Sequence, residues 1–420
     1  MSDAGRWCLP DPARKAHWIA MSSNSYGDGS TRGFDKLPPD LYQPDPLYQP
    51  DPALAGYPPP QASPPTGSTG YGQPVPGQPY GQVDPYGPPG YPPQPPVPTS
   101  ALPDGPRPYQ QMLRGRRYRW WKPLLCLLLV IPLALFMMGL AIVPVLIAGW
   151  ITGADLITTM DITNLGPIAF IYLNLSLIVF IPASGMSIWI VHGIRPRFLS
   201  SVAGGIRWRW LLRCVAVILP LWALYAGLAA LAGPPTSPRP DHWAALLVIV
   251  LLLTPLQAAG EEYFFRGWIM QNVGAWFARP MVGLVASLIV SAVAFSTAHL
   301  SPDPWILGTI ACLGLAAGIA TWRTGGLEAA IAIHAVNNVL TYVIVMIFGG
   351  WSQAFVRPQT TGTPMMLVLA AAVSGIALAL VLWQAKRAGL QPYYQPPARP
   401  LPPGSVPPAP THPLSQYPAP

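Results

Sequence analysis

The stretch from Trp243 to Arg266 reads WAALLVIVLLLTPLQAAGEEYFFR. It carries no charge from Trp243 through Gly260. An uncharged run of that length is what a membrane-crossing helix requires, since a span takes roughly 20 residues. The run then ends on two adjacent glutamates, Glu261 and Glu262. A carboxylate inside a bilayer costs roughly 2.5–3.5 kcal/mol on insertion scales. Two of them side by side predict a polar site at membrane depth.

Composition extends this reading to the whole chain. Of 420 residues, 51% are hydrophobic and 10% charged, which places the chain among multispanning membrane proteins. The expected fold is all-α: a polytopic transmembrane bundle of about eight helices with disordered proline-rich tails. Apolar segments fall near 123–150, 166–193, 209–232, 243–268, 281–299, 304–321, 327–348 and 364–384. The net charge of +8 does not point to nucleic acid, because basic residues flank the apolar segments. A collar of Arg107, Arg114, Arg116, Arg117, Arg119 and Lys122, with Trp120 and Trp121, marks entry to the first span. Arg195, Arg197, Arg207, Arg209, Arg213, Arg279, Arg323, Lys386 and Arg387 fall at connections on that same side. This bias predicts a multi-pass protein of the cell membrane with both termini cytoplasmic. Met1–Pro10 lacks an apolar h-region, so the first span is expected to act as its own targeting signal.

The 56 prolines crowd toward the two ends. Residues 1–108 form a Pro/Gly/Tyr-rich segment in which LYQPDP occurs in tandem at Leu41–Pro46 and Leu47–Pro52. Such composition buries too little apolar surface to offset its ordering entropy. It is expected to be a disordered cytoplasmic tail, and residues 387–420 a second. These tails serve as spacers or as ligands for proline-recognition modules. The helical domain is expected over 109–386. No Cys-x-x-Cys pair joins Cys8, Cys126, Cys214 and Cys312.

Two later segments carry polar groups on apolar helices: FSTAH at Phe295–His299 and HAVNN at His334–Asn338. On a helix Glu262 and Arg266 share a face and can pair, leaving Glu261 free to face a cavity. His334 and Asn338 are also one turn apart, with Asn337 beside them, and Phe295 lies one turn from His299. A turn at Ala278–Pro280 puts Glu261 and His299 on antiparallel helices, each about 26 Å from the turn at ~1.5 Å per residue. Glu261, His299, His334 and Asn338 are therefore expected to meet. Carboxylates in apolar surroundings hold protons more tightly, as a general base requires. Glu261 with His299 would activate water, and His334 with Asn338 would donate to an oxyanion. No serine or cysteine nucleophile stands out, and no HExxH helix is present. Zn2+ held by Glu261, His299 and His334 is chemically consistent. So is a metal-free glutamate mechanism.

EEYFFRG, FSTAH and HAVNN follow the EExxxR, FxxxH and HxxxN patterns in order. The chain here resembles the CPBP family of intramembrane (metallo)proteases, also called type II CAAX prenyl endopeptidase-like or Abi proteins. The resemblance covers about residues 205–348. It implies a membrane endopeptidase with Glu261 activating water, His299 assisting, and His334 and Asn338 on the oxyanion side. Glu262 and Arg266 complete the first motif in support. The implied substrate is a membrane-associated protein or lipidated peptide. Two other classes compete: a non-catalytic scaffold or immunity-type protein, and a proton-coupled transporter using the same groups as a relay. No inverted repeat of broken helices favours the transporter.

Overall fold

The computed structural model describes residues 100–153, 165–232, 238–351 and 354–397. They lie in one compact unit, Tyr91–Pro420. Most of both expected tails, including the LYQPDP repeat, lies outside the described residues. Eight helices among the described residues are long and apolar enough to cross a membrane. Helix α1 is Lys122–Thr152. The second span divides into α2 Pro167–Ile178 and α3 Phe180–His192. A short α4 (Arg197–Ser200) precedes α5 (Trp208–Ala232). The fourth span is one continuous rod, α6 (Trp243–Glu262), a π-helical segment (Tyr263–Ile269) and α7 (Met270–Trp276). Then come α8 (Pro280–Thr297), α9 (Pro304–Thr324), α10 (Glu328–Phe348) and α11 (Pro364–Arg387). All eight correspond to the apolar segments read from the sequence.

Why these segments pack as they do follows from small residues and a few anchors. In a bilayer, helices gain little by burying leucine against each other, so contacts favour small side chains that let backbones approach. Ala320, Ala329, Ala332 and Ala377 are buried where α5, α9, α10 and α11 meet. Gly260 lets α6 lie against α2, because a Cβ there would run into the Leu177 carbonyl. Leu128, Leu135 and Trp150 on α1 are open to the outside of the bundle, as lipid-facing positions should be.

Helix α10 is held at its first turn. Glu328 is fully buried and accepts from Arg207 three times: backbone N at 2.9 Å, Nε at 2.8 Å and Nη2 at 2.7 Å. Arg207 Nη1 also donates to the Thr324 carbonyl at 2.9 Å. Arg207, read from the sequence as a connection charge, is thus an internal clamp as well.

The flanks of the bundle are joined. Arg107–Pro108 (β1) pairs antiparallel with Tyr393–Tyr394 (β2). The pairing places the entry to α1 and the exit from α11 on the same side, as an even number of spans requires. It joins two residues of the first expected tail to two of the second. Tyr109, Met112 and Leu113 are buried, and Gln110 and Gln111 donate to the Pro280 and Phe277 carbonyls at 3.2 and 2.9 Å. Arg114 donates to the Ala275 carbonyl at 2.7 Å. Residues 109–114 therefore pack over the α7–α8 turn, because that turn exposes carbonyls which this polar segment satisfies.

Candidate active site

The Glu261 helix does not break at Gly267. It widens into the π-helical segment, and Ser291 of α8 donates to the Phe265 carbonyl there at 2.9 Å. π-Helical turns are uncommon and recur at functional sites. The turn falls at Phe277–Arg279 and Pro280 starts α8, as its sequence predicts. Helix α8 stops at Thr297, two residues short of the expected end, with Leu300 in a left-handed conformation before Pro302. His299 thus sits on the turn just past the helix. Its backbone N donates to the Ser296 carbonyl at 3.2 Å.

A cavity of about 390 Å³ opens here, and its lining includes Glu261, His299, His334 and Asn338. These four side chains come from three helical segments and line the one cavity. Glu261 and His334 are buried, while His299 and Asn338 are half-buried. His334 is the hub. Its Nδ1 lies 2.8 Å from Glu262 Oε1, its Nε2 3.3 Å from Glu261 Oε2 and 3.2 Å from Asn338 Nδ2. A carboxylate only accepts, so Nδ1 carries a proton. In the neutral ring Nε2 is then an acceptor, satisfied by the Asn338 amide. Glu261 Oε2 makes no hydrogen bond within the protein. It and His334 Nε2 stand as two lone-pair atoms facing one another, a seat for one shared proton.

His299 is fixed differently. Its Nδ1 lies 2.8 Å from the Phe295 carbonyl, which only accepts. The proton is therefore on Nδ1 and Nε2 keeps its lone pair. Phe295 is the keystone beneath both imidazoles. Its ring meets His299 edge-on at 5.1 Å and His334 at 5.4 Å between centroids. On it lies Arg266, whose Cζ is 4.1 Å from the ring centroid. Arg266 is wholly buried and donates to Glu262 Oε1 at 2.8 Å. The expected Glu262–Arg266 pair is present, but Glu262 does more, because the same oxygen also orients His334.

Three contributors, Gln257, Trp222 and Gly314, were not picked out from the sequence. Gln257, one turn before Glu261, donates to Glu261 Oε1 at 2.9 Å and accepts from Asn338 at 3.3 Å. Its i, i+4 spacing from Glu261 was the available signal. Asn337 donates to Asn338 Oδ1 at 3.0 Å and accepts from the Trp222 indole at 2.9 Å. It braces the Asn338 amide. Trp222 and Gly314 carried no signal in an apolar pattern.

Among the described residues no three His, Cys, Asp or Glu side chains are grouped to hold a metal ion. The Nδ1 contacts of His334 with Glu262 and of His299 with the Phe295 carbonyl leave Nε2 as the lone-pair atom of each ring.

Comparison with known proteins bears on the same segment. A stretch of 153 residues is 28% identical to the uncharacterized protein YyaK of Bacillus subtilis (strain 168). It covers 34% of this chain and 49% of that relative, so the chain spans about half the length of the curated relative it matches. No solved structure matches. Residues 242–340, which supply all four of these cavity-lining side chains, match the type II CAAX prenyl endopeptidase Rce1-like family.

Proposed function

We propose that this protein is an intramembrane endopeptidase that hydrolyses a peptide bond with water activated by Glu261. The observation that carries the reading is the buried, unpartnered lone-pair edge of Glu261 Oε2 beside a cavity that also presents His299, His334 and Asn338. A water in the cavity gives a proton to Glu261, helped by the His299 Nε2 lone pair, and its oxygen attacks the carbonyl carbon. The oxyanion is met by the Asn338 amide and by His334. The one proton taken from water is shared between Glu261 Oε2 and His334 Nε2, 3.3 Å apart. As it shifts onto Nε2 it releases the Asn338 N–H that this nitrogen had accepted, so both become donors as charge develops. While the proton is there, the imidazolium is balanced by Glu262 on Nδ1. As the C–N bond breaks, that same proton returns through Glu261 to the leaving amine. One new carboxyl and one amine result.

The cavity's other walls fit a membrane-associated or lipid-modified polypeptide. Phe170, Leu173, Leu177 and Tyr342 present apolar surface beside the polar end. The flanks of the bundle share one side, and its basic residues favour the cytoplasm. The test is purified full-length protein in lipid nanodiscs, offered a library of membrane peptides. The wild type should cleave and Glu261→Ala should not. Equal cleavage by both would defeat the reading.

A further inference from the structure

The amide groups behind the cavity form one directed chain. Trp222 Nε1 donates to Asn337 Oδ1 at 2.9 Å, and Asn337 Nδ2 donates to Asn338 Oδ1 at 3.0 Å. Asn338 Nδ2 donates to Gln257 Oε1 at 3.3 Å, and Gln257 Nε2 donates to Glu261 Oε1 at 2.9 Å. An amide by itself can face either way. An indole can only donate and a carboxylate can only accept, so the two ends fix the sense of every link between them. The chain starts on α5, crosses α10 and ends on α6. Trp222 and Gln257 are both buried.

We infer that Trp222, Asn337 and Gln257 are positioning residues that select which oxygen of Glu261 acts as the base. The inference rests on the hydrolytic reading of Glu261. Gln257 occupies Oε1 and leaves Oε2 as the edge that faces His334 Nε2. The same chain turns the Asn338 Nδ2 group toward His334, where the oxyanion would form. Losing any link frees the next amide to flip. A flipped Asn338 would turn a carbonyl toward the oxyanion, and a rotated Glu261 would offer its base to the wrong side. Both errors act in the transition state, so they lower kcat and leave KM nearly unchanged.

The experiment uses full-length protein in nanodiscs with a cleavable membrane peptide. Variants are Trp222→Phe, which removes only the chain's first donor, Gln257→Met, and the double variant. Trp222→Phe should lower kcat about ten-fold, the factor of one hydrogen bond. Gln257→Met should lower it about ten- to hundred-fold, as for a hydrogen bond to a charged group. KM should stay within two-fold. The double variant should lose little more than Gln257→Met alone, because links of one chain are not additive. An infrared readout is independent of turnover. The Glu261 carboxylate band, identified by its loss in Glu261→Gln, should shift in both single variants. Independent losses in the double variant, an effect confined to KM, or an unmoved band would overturn the inference. If the wild type cleaves nothing, the hydrolytic reading fails, and the band alone decides whether the chain holds Glu261.

Discussion

Phe295→Leu isolates the ring on which the site rests. Leucine keeps most of the apolar volume but removes the π face. Arg266 is wholly buried, and its Nε and Nη2 make no hydrogen bond within the protein. Its stabilisation therefore comes from Glu262 and from the Phe295 face 4.1 Å away. A desolvated cation–π contact contributes about 2 kcal/mol or more. Each edge-on aromatic contact adds about 0.5–1.5 kcal/mol, and Phe295 makes three, with Phe265, His299 and His334. Leucine recovers part of this through packing, so a net loss of about 3–5 kcal/mol is expected. Phe265→Leu is the control, since that ring is 5.9 Å from Arg266 Cζ. The assay is reversible denaturant unfolding in mixed micelles, followed by tryptophan fluorescence. Equal losses for the two variants, or a loss under about 1 kcal/mol for Phe295→Leu, would refute the assignment of Phe295 as the support of Arg266 and both imidazoles.

Three further outcomes are expected. Glu328→Ala should destabilise by about 3–5 kcal/mol in the same assay, because it strands the Arg207 guanidinium, and Arg207→Ala should do the same. Gly260→Ala should cost about 1–3 kcal/mol by forcing α6 off the Leu177 carbonyl, while Gly227→Ala, which meets open space, should not. Gly314→Ala places a Cβ 2.8 Å from Arg266 Nη2 and 3.1 Å from Phe295, so it should lower activity by disturbing both. A hydrolysis assay in parallel with unfolding checks whether activity falls further than stability does.

The apolar runs made the eight spans legible, because hydropathy and span length dictate them independently of partners. The motif spacing made the cavity residues legible, because i, i+4 pairs on apolar helices must face something polar. Other features depend on contacts far apart in the chain. YFFRGWI has the composition of an ordinary helix, and only the seating of the Phe265 carbonyl against Ser291 makes room for a π turn. The second bond of Glu262 to His334 needs two helices brought together, so pairing within one helix was all the sequence offered. Arg114 reads as one charge of a basic collar until the end of α7 supplies its carbonyl acceptor, as the α7–α8 turn does for Gln110 and Gln111.

The central claim concerns one oxygen atom. Hydrolysis by the nanodisc-embedded protein in oxygen-18 water, read by mass spectrometry, tests it most directly. A product whose new carboxyl carries one solvent oxygen is predicted for the wild type, and no product for a folded Glu261→Gln. Labelled product at the wild-type rate from Glu261→Gln would contradict the account.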